Sequence, residues 1–203
     1  MRIGEPFGIY NGEMTAWPRS LRLLGFVSIG ALAVLAGTLG AAWHYAGSLH
    51  MAAELVGIRV AFHGVAQIST EELAAWRADP GRVPPLLLDV REPDEFAVSH
   101  LAEARSVPWE SDWQTLLKQT PTTQPIVVYC SIGYRSSVLA LKLKQAGFAH
   151  VANLEGSIFK WASEGRPLVG PDGRAATVVH PYDARWGRLI APSLRAPLSS
   201  AVR

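Results

Sequence analysis

Apolar residues in this chain gather in two kinds of run. One is long: Leu23 to Ala42 is twenty residues without a charge. At about 1.5 Å per residue it spans about 30 Å, the thickness of a bilayer core, and it predicts one transmembrane helix over 23–43. Trp17, Trp43 and Tyr45 flank it, where amphipathic rings favour the membrane interface. Arg2, Arg19 and Arg22 precede it, whereas Arg59 alone follows within about twenty residues, a bias that favours a cytoplasmic N-terminus and an outside C-terminal part. A buried core helix is the plain alternative, but the run has no polar face. A signal peptide cut near Gly40-Ala41-Ala42 is another; the polar lead before the run is long for that, so an uncleaved anchor is preferred.

The other runs are short and alternate with helical spacing. Val65 to Ile68 reads as a strand, and Ser69 or Thr70 then caps a helix to about Arg77, with Glu71 and Glu72 in its first turn. Leu86 to Val90, apolar but for Asp89, and Ile126 to Tyr129 read as strands covered on both faces. Pro93 opens a short helix to Val98, and Trp109 to Lys118 suggests another. Ser136 to Ala146 reads as a helix with Val138, Leu139, Leu141 and Leu143 inward and Gly147 as its stop. Val151 to Leu154 offers a last strand, and Ile158 to Ser163 a closing helix. Strands alternating with helices imply an α/β fold: a central, mainly parallel sheet with helices on both faces. The chain then divides into a polar segment (1–22), the span (23–43), a linker (44–62), the α/β domain (63–168) and a tail (169–203). In the tail, Val178 to Gly187 reads as more ordered and Ala191 onward as disordered.

Composition narrows the function. The chain has 203 residues and a net charge of +2, with its basic residues scattered, which argues against nucleic-acid binding. The six histidines form no ligand spacing with the one cysteine, so no metal is expected, and no cofactor motif stands out. Cys130 cannot form a disulfide within the chain and is either inert packing or a reactive group. It ends the Ile126 to Tyr129 strand, and Ser131, Ile132, Gly133, Tyr134, Arg135 and Ser136 follow. Ligands of parallel sheets bind beyond such strand ends.

Two groups of residues carry a family resemblance. The first is Asp89 to Phe96 with Ser99-His100-Leu101 and Ala104 to Pro108. The second is Val127 to Ser136 with Ala146-Gly147-Phe148, Asn153 to Ser157 and Trp161. Together they resemble the two signatures of rhodanese-like sulfurtransferase domains, over about Gly64 to Pro167. The resemblance implies a rhodanese-like fold and a cysteine that carries sulfur as a persulfide. It implies a small donor, thiosulfate or another persulfide, and a thiophilic acceptor, cyanide or a thiol. A catalytically weak rhodanese-like binding module at the membrane is the alternative; lipid is then a partner through residues 23–43.

The loop chemistry fits the first reading. The thiolate is the nucleophile. Backbone N–H groups from about Ser131 to Ser136 and the positive helix end favour an anion. Gly133 permits the tight curve, Arg135 adds a planar cation suited to oxyanions, and Ser136 or Ser137 can cap the helix or donate to sulfur. Related phosphatases and arsenate reductases place the arginine six positions after the cysteine; here it is five, a smaller loop that favours sulfur over phosphate. Many thiosulfate-using members have a basic residue where this chain has Ser131, which points towards a less charged donor. Asp89 and Arg91 are supporting residues, either bracing the loop or contacting substrate.

Overall fold

The structure is a computed structural model that describes Thr38 and residues 49–198. The chain divides into two units, Met1–Trp43 and His44–Arg203. Thr38, in the first, is helical. The rest of the span expected over 23–43 lies outside the described residues. Among the described residues no helix is long and apolar enough to cross a membrane.

In the second unit the two apolar runs form the central strands, β2 (Leu86–Asp89) and β4 (Ile126–Tyr129). Leu87 lies opposite Val127, and Asp89 opposite Tyr129. β5 (Val151–Leu154) flanks β4, β1 (Ala66–Ile68) flanks β5, and β3 (Arg105–Ser106) edges β2. All pairings in this five-stranded sheet, ordered β1-β5-β4-β2-β3, are parallel. Side chains alternate across it. Leu87, Val127 and Tyr129 pack with Leu73 of α2 (Thr70–Ala78) and with Ile158, Phe159 and Trp161 of α6 (Ser157–Ser163). Leu88, Ile126 and Val128 pack with Leu139, Ala140 and Leu143 of α5 (Tyr134–Gln145). Burial on both faces is why these strands are apolar but for Asp89 at the end of β2.

The helix ends follow local chemistry. Ser69 Oγ accepts from the Glu72 N–H at 3.0 Å, and the Glu72 carboxylate accepts from the Ser69 N–H at 2.8 Å, a capping box. Ser69→Ala is expected to destabilise the protein by about 1 kcal/mol. The urea midpoint should fall at constant slope; an unmoved midpoint would show that the cap contributes nothing. At the end of α5, Gly147 takes φ +94°. Its N–H donates to the Lys144 carbonyl and the Phe148 N–H to that of Leu143, the two bonds of a Schellman stop.

Four expectations change. The linker expected over 44–62 is helical at 49–61 (α1), and Ile58 is buried against the sheet-side core. The helix expected from Trp109 to Lys118 shrinks to α4 (Trp113–Leu116), because Ser111 turns back to the Pro108 carbonyl and Asp112 caps the start. Leu141 is 37% exposed: the buried stripe of α5 is Ser136, Leu139, Ala140 and Leu143, and Leu141 falls off it. Residues 191–198 of the tail, expected to be disordered, pack against the domain. β6 (Leu168–Val169) pairs with β7 (Ala175–Ala176), Val179 bridges to Arg195, and burial of Val179, Ile190 and Ala196 holds the segment in place. A further short helix, α3 (Pro93–Val98), follows β2 as expected.

Candidate active site

Chain direction across the sheet reverses between its two central strands. β2 is followed by β3 on one side, while β4 is followed by β5 on the other. A crevice forms beyond the strand ends at such a switch. Cys130 directly follows β4 and sits at the floor of a cleft of about 340 Å³, itself only 1% exposed. Ser131, Ile132, Tyr134 and Arg135 also line this cleft.

The sulfur has two donors. The Gly133 N–H points at Sγ from 3.1 Å, and Ser136 Oγ donates to it at 3.4 Å. Both depend on the turn at Gly133, whose φ of +122° is open to glycine and strained for other residues. A Cβ there would also lie 3.1 Å from Asn153 Nδ2. Ser137 Oγ donates instead to the Gly133 carbonyl at 2.7 Å, fixing the start of α5. From below, Ser157 Oγ accepts the Cys130 N–H at 3.1 Å, and the Ile158 N–H donates to the Cys130 carbonyl. Ser157 thus holds the backbone at the cysteine; its place in the Asn153 to Ser157 motif was the only sequence signal for it.

Arg135 does not present a free cation. Its Nη1 and Nη2 donate to the two Glu95 oxygens at 2.8 and 2.9 Å, and Nη2 also reaches Ser131 Oγ at 3.1 Å. The Tyr182 ring covers its face, 4.9 Å away. Burial disfavours the Arg135 charge, but the bonds to Glu95 and attraction to Cys130 outweigh it, so the guanidinium is held charged more firmly than usual. Glu95, on α3, is buried and stands forty residues from its partner, which is why the sequence alone did not single it out. Burial raises the Glu95 carboxyl, yet the Arg135 bonds outweigh that and hold it below its ordinary value. Glu164 is likewise held down, at about 2: burial opposes, but hydrogen bonds from Lys160, Thr70 and Arg166 prevail.

A carboxylate depressed on folding stabilises the fold above its unfolded pKa of about 4.3, and this is lost as pH falls through the folded value. Both groups therefore predict stability that falls below about pH 4. Glu92, raised chiefly by burial, acts in the opposite sense. Glu95→Gln should flatten the acid limb of a plot of unfolding free energy against pH. An unchanged limb would show that the Arg135 pair is not coupled to folding.

Asp89 and Arg91 lie behind the cleft and do not line it. Both are fully buried, and Arg91 Nε and Nη2 reach Asp89 at 2.9 and 2.6 Å. Nη2 also donates to the Ser99 carbonyl at 2.6 Å, so the pair ties the end of β2 to the loop after α3. Burial works against the Arg91 charge; Asp89 overcomes it. Among the described residues no cluster of His, Cys, Asp and Glu could hold a metal ion.

The remaining walls come from outside the central α/β segment. Glu54 and Ile58 of α1 and Tyr182 and Trp186 of the tail line the cleft as well. Tyr182 and Trp186 fall in the stretch from Val178 to Gly187 that reads as more ordered in the sequence; nothing there placed Glu54 or Ile58, whose helical segment carries no local marker of the site.

A parallel doubly wound sheet with a thiol held at its switch point defines a class of thiol-bearing α/β domains. Residues 69–164 match the rhodanese-like domain. A sulfurtransferase of Allochromatium vinosum is 35% identical over 109 residues, covering 54% of this chain and 99% of that protein. A probable adenylyltransferase/sulfurtransferase of Mycobacterium tuberculosis is 34% identical over 102 residues, 49% of this chain but 25% of that protein. The crystal structure of a Bacillus halodurans protein aligns with a TM-score of 0.52 at 21% identity, covering 61% of this chain and 89% of that one, a likeness of fold alone. The chain belongs to the rhodanese-like family.

Proposed function

We propose that this protein is a sulfurtransferase that carries sulfane sulfur on Cys130. The observation that supports it best is the thiol at the floor of an open cleft with two donors, Gly133 N–H and Ser136 Oγ, aimed at its sulfur. In the first step the Cys130 thiolate attacks the outer sulfur of a donor. With thiosulfate, the bond between the two donor sulfurs breaks and sulfite leaves with its electron pair, giving Cys130–S–S⁻. In the second, cyanide or a thiol attacks the outer sulfur and the Cys130 thiolate departs, a ping-pong cycle. The same two donors can hold the persulfide. Ser131, Ile132, Tyr134 and Arg135 shape the entrance, with Arg135 fixed by Glu95. Asp89 and Arg91 tie the end of β2 to the loop after α3.

Incubation with thiosulfate or glutathione persulfide, followed by intact mass, tests this. A gain of about 32 Da, one sulfur atom, is expected on Cys130. No gain with either donor would favour the second reading, a binding module with little turnover. One feature speaks for that reading: Glu95 takes up the only cation lining the cleft among the described residues.

We also place this domain at a membrane, anchored through residues 23–43 with the N-terminus cytoplasmic and the domain outside. The support is the uncharged run and the arginine asymmetry around it. A reporter active only in the cytoplasm, fused after Arg203, should be silent. An active reporter would reverse the orientation.

A further inference from the structure

Four of the residues that wall the cleft lie outside the segment that matches the family: Glu54 and Ile58 before it, Tyr182 and Trp186 after it. Their placement is built in. Arg59 of α1 pairs with Glu155, and Phe62 meets Tyr134 edge to face at 5.3 Å, which docks this helix beside the loop. In the tail Tyr182 takes φ +65°, a conformation that costs a bulky residue energy. Its N–H is caught by His180 Nδ1 at 3.1 Å, and Val179 and His180 beneath are buried, so the fold holds the strained residue where its ring meets Arg135.

The charge of the cleft points the same way. Arg135 Nη1 and Nη2 both donate to Glu95, Nη2 also donates to Ser131, and the Tyr182 ring covers its face, so its charge is already paired. Glu54 adds a carboxylate at the wall. A dianion entering here meets a paired cation and a further carboxylate. An aryl or alkyl group finds Ile58, Tyr182 and Trp186.

We infer that the donor for Cys130 carries an aryl or alkyl group and at most one negative charge, with Ile58, Tyr182 and Trp186 holding the organic group and Glu54 selecting against dianions. This rests on the sulfurtransferase reading. With an arylthiosulfonate, Ar–SO₂–S⁻, the Cys130 thiolate bonds to the outer sulfur. The bond to the sulfonyl sulfur breaks, and its electron pair leaves on the arylsulfinate. The thiolate is oxidised to the persulfide level and the sulfonyl group reduced to sulfinate, so no outside oxidant is needed.

The test uses the full chain, cyanide as the common acceptor, and benzenethiosulfonate against thiosulfate. A sulfinate leaves readily from any site, so the readout is the change in the ratio of the two kcat/KM values between wild type and variant. Trp186→Ala and Tyr182→Ala should each lower the ratio about tenfold, the scale of one lost aromatic contact in a binding pocket. Glu54→Gln should lower it by raising the value for thiosulfate. A folding defect reduces both donors together and cancels from the ratio. Ratios within about twofold of wild type in all three variants, with Cys130 still loading sulfur, overturn this inference alone. No sulfur on Cys130 from either donor overturns the sulfurtransferase reading with it.

Discussion

Cys130→Ser is expected to abolish sulfur uptake completely, while the fold stays intact. The serine hydroxyl can accept from the Gly133 N–H and meet Ser136 Oγ much as the sulfur does, so the loop loses little. The backbone ties at this position, from the Cys130 N–H to Ser157 Oγ and from the Ile158 N–H to the Cys130 carbonyl, do not involve the side chain. What is lost is chemistry. A hydroxyl ionises too weakly at neutral pH to attack sulfane sulfur, and its oxygen cannot store one. The expected result is no gain of about 32 Da from any donor, no steady-state turnover, and an unfolding midpoint close to that of wild type. The chain has no second cysteine to substitute. Uptake or turnover that persists in this variant would end the sulfur-carrier reading.

Asp89→Ala is expected to be the most destabilising change in the domain, by about 3–5 kcal/mol. Arg91 has no exposure, and its charge is balanced there by Asp89. Remove the carboxylate and a guanidinium remains in the interior with the Ser99 carbonyl as its hydrogen-bond partner, the Tyr129 ring 5.9 Å away and the Glu95 charge acting on it. Such a loss is a large share of a typical domain's stability of about 5–15 kcal/mol. The double variant Asp89→Ala/Arg91→Met should recover most of it, because an apolar side chain of similar length asks for no counter-charge. Urea unfolding of the two singles and the double closes the cycle. A loss below about 1 kcal/mol for Asp89→Ala would mean that water or another group already serves Arg91. A double variant as unstable as the single would mean that packing, and not charge, is what Asp89 supplies.

These two expectations differ in how they could be read from the sequence. The β2 and β4 runs announced themselves because burial on both faces favours apolar residues at nearly every position, Asp89 excepted. The Ser69 cap and the Gly147 stop were visible because each acts within a few residues. β3, β6 and β7 are two residues long, too short to show any period. The tail from 191 carries a proline-rich composition, and its order comes from Val179, Ile190 and Ala196 docking far along the chain. The site divides in the same way. Cys130 to Ser136 is one continuous loop and could be picked out as a unit. Glu95 and the Glu54, Ile58, Tyr182 and Trp186 walls reach it only through the fold, so the expected free charge of Arg135 proved to be a paired one.

The cradle around Cys130 is made of neighbours in sequence, whereas its walls are made of the two ends of the domain. Elements that dock last and are held by few contacts open at lower free energy than the sheet they cover. An alkylating reagent reaches the thiol, itself 1% exposed, by way of the cleft that α1 and the tail line. The rate at which Cys130 is alkylated therefore responds to how those walls stand, independently of global unfolding. The one cysteine is thus a native gauge of how tightly the ends are clasped, readable in intact protein without any introduced label.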